Sequence, residues 1–404
     1  MASILMLTPQ VPYPPRQGTA LRNWGLLRGL AAHHRVSLLS FVAPDQAREV
    51  PPTLAHYLEQ SALVPQPVRT LRQRLHDLLL SRQPDLVRRL YARAFADRLA
   101  SWLHTYAFDW VLVEGLELAP YLTQVWALGD NRPRVVFDDH NCEYVLQRRA
   151  ARADWRRPKR WIGALYSAVQ WRRLRRYEAQ VCRAADLVVA VSTLDAAALR
   201  AIVPGLAPLV VPNGIDVDAY AAFETATPLE RPSFVFTGTM DFRPNVDGVL
   251  WFVDRVWPQV RAALPTAHCY LVGRRPHRRL ERLRAVPGVV ITGTVPDVRP
   301  FIRAATVYIA PLLVGGGSRL KLLESTAMGK AVVATRLAAE GFEAPERAMV
   351  LADTPTAFAE ACIRLAREPA ERKAWGERAL AFARAYDWQA LLPPLLARLA
   401  GRGS

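Results

Sequence analysis

The chain of 404 residues is short of cysteine, acid and lysine, and each shortage removes a class of protein. Its four cysteines, Cys142, Cys182, Cys269 and Cys362, stand far apart, with no Cys-x-x-Cys pair and no histidine cluster at metal-ligand spacing. A disulfide framework and a zinc module are both excluded, and a reducing cytoplasm is the expected compartment. No run of 18 apolar residues occurs, so no membrane-spanning helix is expected. There is no Gly-x-Gly-x-x-Gly, which removes support for dinucleotide binding, and no Asp-x-Asp at a strand end to hold a metal. Met1–Thr8 lacks a basic leader and meets Pro9 early, so it reads as a first strand and not as a signal peptide.

What the chain does have is apolar residues, about half the total, and 53 Lys and Arg against 36 Asp and Glu, a formal charge of +17. The length suits two domains with separate cores. The charge, carried mostly by arginine, points to anionic partners: phosphorylated small molecules, anionic lipid or nucleic acid.

Apolar runs and helical patches alternate along the chain. Ser3–Leu7 reads as a buried strand, a helix starts near Thr19, and Val36–Val42 follows as the second strand, a right-handed βαβ unit. Residues 66–104 read as helical. Trp110–Val113 and Arg134–Phe137 read as strands, the latter leading into Asp138-Asp139-His140-Asn141 at the sheet edge where ligands bind in open α/β folds. Ala185–Ser192 reads as the last strand of the first domain, and Leu209–Asp216 as a strand running into an Asn-Gly turn. A second series opens at Ser233–Gly238, with a helix through Val249–Trp257 and strands at 267–272 and 289–292. The boundaries expected are 1–212 for a first domain and 213–386 for a second, with the segment 387–404 returning to the first.

The most informative stretch is Ala305–Thr335. A β-branched strand (305–310) leads to Gly315-Gly316-Gly317, then Ser318 as candidate N-cap, a helix with Leu320, Leu323, Ala327 and Met328 at helical spacing, Gly329 as its stop and a strand at 330–335. Glycines let backbone N–H groups approach an anion, and a helix N-terminus adds unpaired donors and a positive dipole end. Arg319 and Lys321 put two cations where that dipole disfavours them, a conflict an anionic ligand removes. Glu324 follows about a turn and a half in, suited to sugar hydroxyls. A plain glycine turn beside solvated cations is the alternative.

This stretch resembles the C-terminal signature of the retaining family 4 glycosyltransferases, enzymes of GT-B architecture. That family carries two glutamates separated by seven residues. Glu324 matches the second, which binds the nucleotide ribose; the first falls on Gly316, and the Gly-Gly-Gly-Ser-Arg-x-Lys form is similar to one subgroup. The resemblance implies an α/β fold of two Rossmann-like domains facing across a cleft, acceptor in the first and donor in the second. It implies Gly18 beside the donor diphosphate, a site that a flexible turn would explain as well, and His140 facing the donor sugar, where a capping or core histidine is the alternative. The family's diphosphate-gripping Arg and Lys fall here on Thr239 and Pro244. Arg319 and Lys321 are therefore expected to take over that work, helped by Arg243, with Gly316, Gly317, Ser318 and Leu323 lining the nucleotide site.

Between Arg148 and Arg176, Trp155, Trp161, Ile162, Tyr166 and Trp171 are interleaved with cations and almost no acid. A basic helix with tryptophans suits the interface of an anionic membrane. A solvated arginine-rich helix and a nucleic-acid surface are the alternatives, and no nucleic-acid motif accompanies the stretch. The expectation is a metal-independent transferase that uses a nucleotide-diphosphate sugar as substrate, needs no cofactor, and acts on a glycan or lipid-linked acceptor in surface-polysaccharide synthesis. It would work in the cytoplasm or on the inner face of the plasma membrane. An epimerase on the same fold, or a non-catalytic nucleotide-sugar sensor, are the rivals.

Overall fold

The structure is a computed structural model; it describes residues 1–15, 18–44, 46, 49–70, 73, 81, 83–155, 161–314 and 319–401. The chain divides into two compact units: Met1–Pro212 together with the C-terminal segment from Leu391, and Asn213–Ala390.

The first unit is built on a seven-stranded parallel sheet: β1 (Ser3–Thr8), β2 (Arg35–Val42), β3 (Gln60–Pro65), β4 (Trp110–Glu114), β5 (Arg134–Asp139), β6 (Leu187–Ala190) and β7 (Leu209–Val210), in the order β3-β2-β1-β4-β5-β6-β7. Its central strands are apolar on both faces, since helices cover both, and every residue of β1 and β4 is buried. Helices α1 (Gly18–Ala31), α2 (Asp85–Arg89), α3 (Arg93–Thr105), α4 (Glu143–Trp155), α5 (Trp161–Ala184) and α6 (Thr193–Ile202) supply that cover.

The second unit repeats the plan with β8 (Ser233–Thr237), β9 (His268–Val272), β10 (Val289–Gly293), β11 (Val307–Ala310), β12 (Val332–Ala334) and β13 (Val350–Leu351), ordered β10-β9-β8-β11-β12-β13. Its helices include α7 (Val217–Ala221), α8 (Arg243–Trp251), α9 (Trp257–Ala263), α10 (Arg299–Ala304), α11 (Leu320–Ala327), α12 (Pro355–Arg367) and α13 (Pro369–Arg384). Both sheets thus follow the doubly wound Rossmann order. In each, the direction of winding reverses between the first and fourth strands, the place where such sheets bind ligands. The chain ends in α14 (Pro393–Ala400), which belongs to the first unit: Trp110 Nε1 donates to Leu399 O at 3.2 Å, and Arg134 reaches Gly401 O at 3.1 Å.

Several expectations need correction. The helix expected over 66–104 is interrupted, because α2 ends at Arg89 and Ala92 is extended before α3; Arg72, Arg74 and Arg82 lie outside the described residues. β6 is not the first unit's last strand, since Leu209–Val210 pairs with it. The helix through Val249–Trp257 contains a π-helical turn at Phe252–Val256. Pro258 explains it, having no N–H for the preceding turn and a ring that crowds it. Arg319 occupies the N-cap position of helix α11, Ser318 lying outside the described residues, and the buried residues of the helix are Leu322, Leu323, Ser325, Thr326 and Ala327, with Leu320 only half-buried.

Candidate functional site

In the second unit the reversal lies at the ends of β8 and β11, where Gly238 follows β8. A Cβ on Gly238 would stand 2.8 Å from Lys321 Nζ and 2.7 Å from Asn245 Nδ2. Only glycine admits that approach, and it brings the Lys321 ammonium against the first βα turn. Asn245, at the start of α8, holds it there: Lys321 Nζ donates to Asn245 Oδ1 at 2.8 Å, while Asn245 Nδ2 donates to Thr239 O at 2.9 Å. The ammonium also lies 4.2 Å from the centre of the Phe236 ring, a cation–π contact. Removal from water, then the charge of Arg319, pulls the Lys321 amine down to about 7, against the opposing pull of Glu324.

One turn along α11, Glu324 accepts from Tyr220 Oη at 3.0 Å, and burial pushes its carboxyl up to about 7. Tyr220 sits on α7, and Arg299 lies over both its ring (5.7 Å) and that of Phe223 (4.4 Å) while gripping Asp297 at 2.7 Å. The result is a cation and a carboxyl on one helix face, with aromatic rings and an arginine beside the carboxyl.

The structure places the other expected residues unevenly. Arg319 is the N-cap of α11, close enough to Lys321 to depress it. Arg243 begins α8 and leans on Asp247, 3.5 Å away, which Arg279 also holds at 2.8 Å. Leu323 is wholly buried. Gly316, Gly317 and Ser318 lie outside the described residues. Asn245, Tyr220 and Arg299 went unnoticed in the sequence, because only the fold brings them to α11.

In the first unit, Glu114 and Asp138 are register partners on β4 and β5, and His140 follows Asp138 by two residues onto the same side. His140 Nε2 lies 2.7 Å from Glu114 Oε2 and 3.7 Å from Asp138 Oδ2. Arg22, fully buried on α1, binds Asp138 in bidentate fashion, Nε and Nη2 each at 2.7 Å, and anchors itself on the carbonyls of Val211 and Pro212. The Asn23 amide donates to Glu114 Oε2 at 2.8 Å. Burial, then the charge of Asp138, raises Glu114 well above the carboxylate range, whereas Arg22 keeps Asp138 ionised and low despite its burial. Burial also lowers His140.

These shifts favour a protonated Glu114 carboxyl beside a neutral His140, and in that state the carboxyl can donate to His140 Nε2. The imidazole then carries its hydrogen on Nδ1. Gly115, at φ +92°, lies beside that atom: a Cβ there would stand 3.7 Å from Nδ1 and 3.0 Å from Glu117 Oε2. Gly18 is exposed at the start of α1. Glu114 and Arg22, which fix the state of His140, were not singled out in the sequence, and each lies far along the chain from it.

Among the described residues, two groups have ligand atoms close enough for a cation: Glu114, Asp138 and His140, and Asp139, Cys142 and Glu178, with the ligand atoms of a group within 4.8 Å of one another. Arg22 already answers the charge of the first. In the second, burial and neighbouring acids push Asp139 well above its usual range and Glu178 to about 8, which favours protonated carboxyls.

Two doubly wound parallel-sheet units are the architecture of the GT-B fold. A family model described as Glycosyltransferase Family 4 matches residues 17–219, half of the chain, and one described as Glycosyl transferases group 1 matches residues 231–368. The chain belongs to Glycosyltransferase Family 4. Among solved structures it is similar to sucrose-phosphate synthase from Thermosynechococcus elongatus (17% identity, 98% of both chains, TM-score 0.69). It is also similar to Anabaena HepE in complex with UDP and glucose (15% identity, 99% of this chain and 100% of that one, TM-score 0.66). A third is the alpha,alpha-trehalose 6-phosphate synthase of Burkholderia multivorans (16% identity, 99% and 98%, TM-score 0.66). No curated protein matches the sequence.

Proposed function

We propose that this enzyme is a retaining glycosyltransferase moving a sugar from a nucleotide-diphosphate sugar to a glycan or lipid-linked acceptor, without a metal ion, in the assembly of surface polysaccharide. The observation that carries the reading is the Lys321 ammonium held against Gly238 by Asn245. The family resemblance places diphosphate-binding cations at Thr239 and Pro244, which carry no charge. Lys321 reaches the same turn from another helix. Solved proteins of this fold include one in complex with UDP and one in complex with UDP-glucose, which supports a nucleotide-sugar donor.

As the glycosidic bond breaks, negative charge grows on the β-phosphate. Lys321 and Arg319 stabilise that charge more than they stabilise the intact donor. Glu324, with Tyr220, suits ribose hydroxyls, and His140 presents Nδ1–H to a sugar hydroxyl. With no carboxylate nucleophile assigned, the acceptor attacks on the face from which the phosphate leaves, and its proton passes to the departing phosphate oxygen. The acceptor's lipid would bring the protein to the anionic inner face of the plasma membrane through residues 148–176.

The test is turnover of UDP-, GDP- and ADP-sugars in EDTA with lipid-linked and free glycan acceptors. NMR of the product gives the configuration of the new bond. Transfer with the donor's anomeric configuration is expected; an inverted product or a requirement for divalent metal would overturn the corresponding part. Binding without donor consumption would favour a sensor.

A further inference from the structure

The arginine-rich segment forms a helical hairpin. Near its base, the Glu178 carboxyl on α5 accepts from the backbone N–H groups of Glu143 (2.8 Å) and Tyr144 (3.3 Å) at the start of α4. Further along, Gln147 Nε2 donates to Ser167 Oγ at 3.1 Å. At the far end, Trp161 Nε1 donates to Trp155 O at 3.3 Å, so the last residue of α4 and the first of α5 lie side by side. The two helices run antiparallel, with Ala151, Ala164, Ser167, Gln170 and Leu174 buried along them.

Three large apolar side chains are exposed at the far ends of the two helices, on either side of residues 156–160, which lie outside the described residues. Trp155 is 59% exposed, Trp161 58%, and Leu165, one helical turn on from Trp161, 61%. Continuing along that face of α5 from Leu165 come Ala168 and then Arg172, with Arg175 and Arg176 exposed beyond; Arg152 is exposed on α4. Residues 148–176 contain eleven Lys and Arg and one acid, Asp154.

We infer that Trp155, Trp161 and Leu165 form a wedge that seats the hairpin in the interfacial layer of an anionic bilayer, with the exposed Arg152, Arg172, Arg175 and Arg176 on lipid headgroups. Indole rings prefer that layer, where the ring leaves water and the N–H stays among polar groups. Exposed apolar side chains set among cations suit the interfacial layer of a bilayer of anionic lipids. Insertion is shallow, since no helix among the described residues is long and apolar enough to span.

Leu165 argues against nucleic acid, because an aliphatic side chain offers no stacking surface and both indoles are crowded at one helix end instead of along a groove. The charge argues against a second copy of the hairpin, whose arginines would oppose these. Helix α4 starts three residues after His140 and, at 13 residues, is about 20 Å long. The wedge therefore sits within about that distance of the histidine pocket, a reach suited to an acceptor sugar carried on a lipid. This last step rests on the transferase reading; the wedge itself does not.

The test is sedimentation of the full chain with phosphatidylglycerol-containing vesicles and with pure phosphatidylcholine vesicles, together with quenching of tryptophan fluorescence by brominated lipid. The parent is expected to bind the anionic vesicles, more weakly in high salt, and to be quenched. The triple variant Trp155→Ser, Trp161→Ser, Leu165→Ser should lose about tenfold or more in vesicle affinity and lose the quenching, with its thermal melt and nucleoside-diphosphate affinity unchanged. Equal binding by parent and variant, equal binding to neutral vesicles, or displacement by single-stranded nucleic acid at the tip would overturn the wedge. Vesicle binding that persists while no donor sugar is turned over would keep the wedge and remove the transferase reading.

Discussion

Lys321 and Glu324 lie one turn apart on α11 and are pushed to about 7 from opposite directions, the amine down and the carboxyl up. A bound diphosphate would reverse the first shift, since it favours the ammonium. The free amine then has a lower pKa than the bound one, and binding takes up a proton between the two values. Donor affinity should accordingly fall as pH rises above about 7, and calorimetry in buffers of different ionisation heat should record proton uptake near pH 8. Lys321→Ala should abolish that uptake and cost roughly 10² to 10³ in kcat; an unchanged uptake would move the phosphate elsewhere. In the other unit, Glu114 sets the tautomer of His140. Glu114→Gln can still donate to Nε2 and should retain most activity, whereas Glu114→Ala should lose about 10- to 100-fold, with ¹⁵N shifts showing the imidazole proton no longer confined to Nδ1. Sequence reading singled out His140, Lys321 and Glu324 because each sits in a local motif. It missed Glu114, Arg22 and Asn245 because their partners are 26, 116 and 76 positions away.

At the scale of elements, α11 carries the groups proposed to hold the donor, and its C-terminus is tightly specified. Gly329, at φ +64°, closes it: its N–H donates to Thr326 O at 2.9 Å and that of Lys330 to Ser325 O at 3.1 Å, a Schellman cap. Gly376 on α13 packs against that cap so closely that a Cβ there would stand 2.3 Å from Gly329 O. Gly376→Ala should therefore destabilise the second unit by about 1–3 kcal/mol by forcing backbone apart. Gly329→Ala meets only an ordinary contact and should cost about 1–2 kcal/mol of left-handed strain. Urea denaturation should rank them in that order, and nucleotide affinity should weaken in Gly376→Ala as α11 shifts. The glycine stop was legible, as were β1, α1 and β2, because each follows from local pattern. The break between α2 and α3, the two-residue strand β13 and the π turn before Pro258 were not: their hydrogen bonds are decided by neighbours, and short runs carry little periodicity.

For the molecule as a whole, the repeated βα pattern was enough to anticipate two doubly wound units, while the wiring of their ends depends on three-dimensional packing. The second unit is one continuous segment, but the first is completed by the last residues of the chain. Leu395 and Leu399 of α14 and Leu392 before it are at most 4% exposed. Leu392 fills the space beside Gly29, so close that a Cβ there would stand 1.9 Å from its Cδ1. The Trp110 indole donates to Leu399 O while the Arg134 guanidinium covers its ring at 4.2 Å. Burying three leucines contributes several kcal/mol, at roughly 1.5–3 kcal/mol for each side chain. Deleting the chain from Leu391 onward should therefore lower the melting of the first unit and expose Trp110, seen as a change in tryptophan emission. The continuous second unit should keep its own transition and its affinity for a nucleoside diphosphate. A single transition lowered for both units, or loss of nucleotide binding, would show that the terminal helix serves the donor side as well.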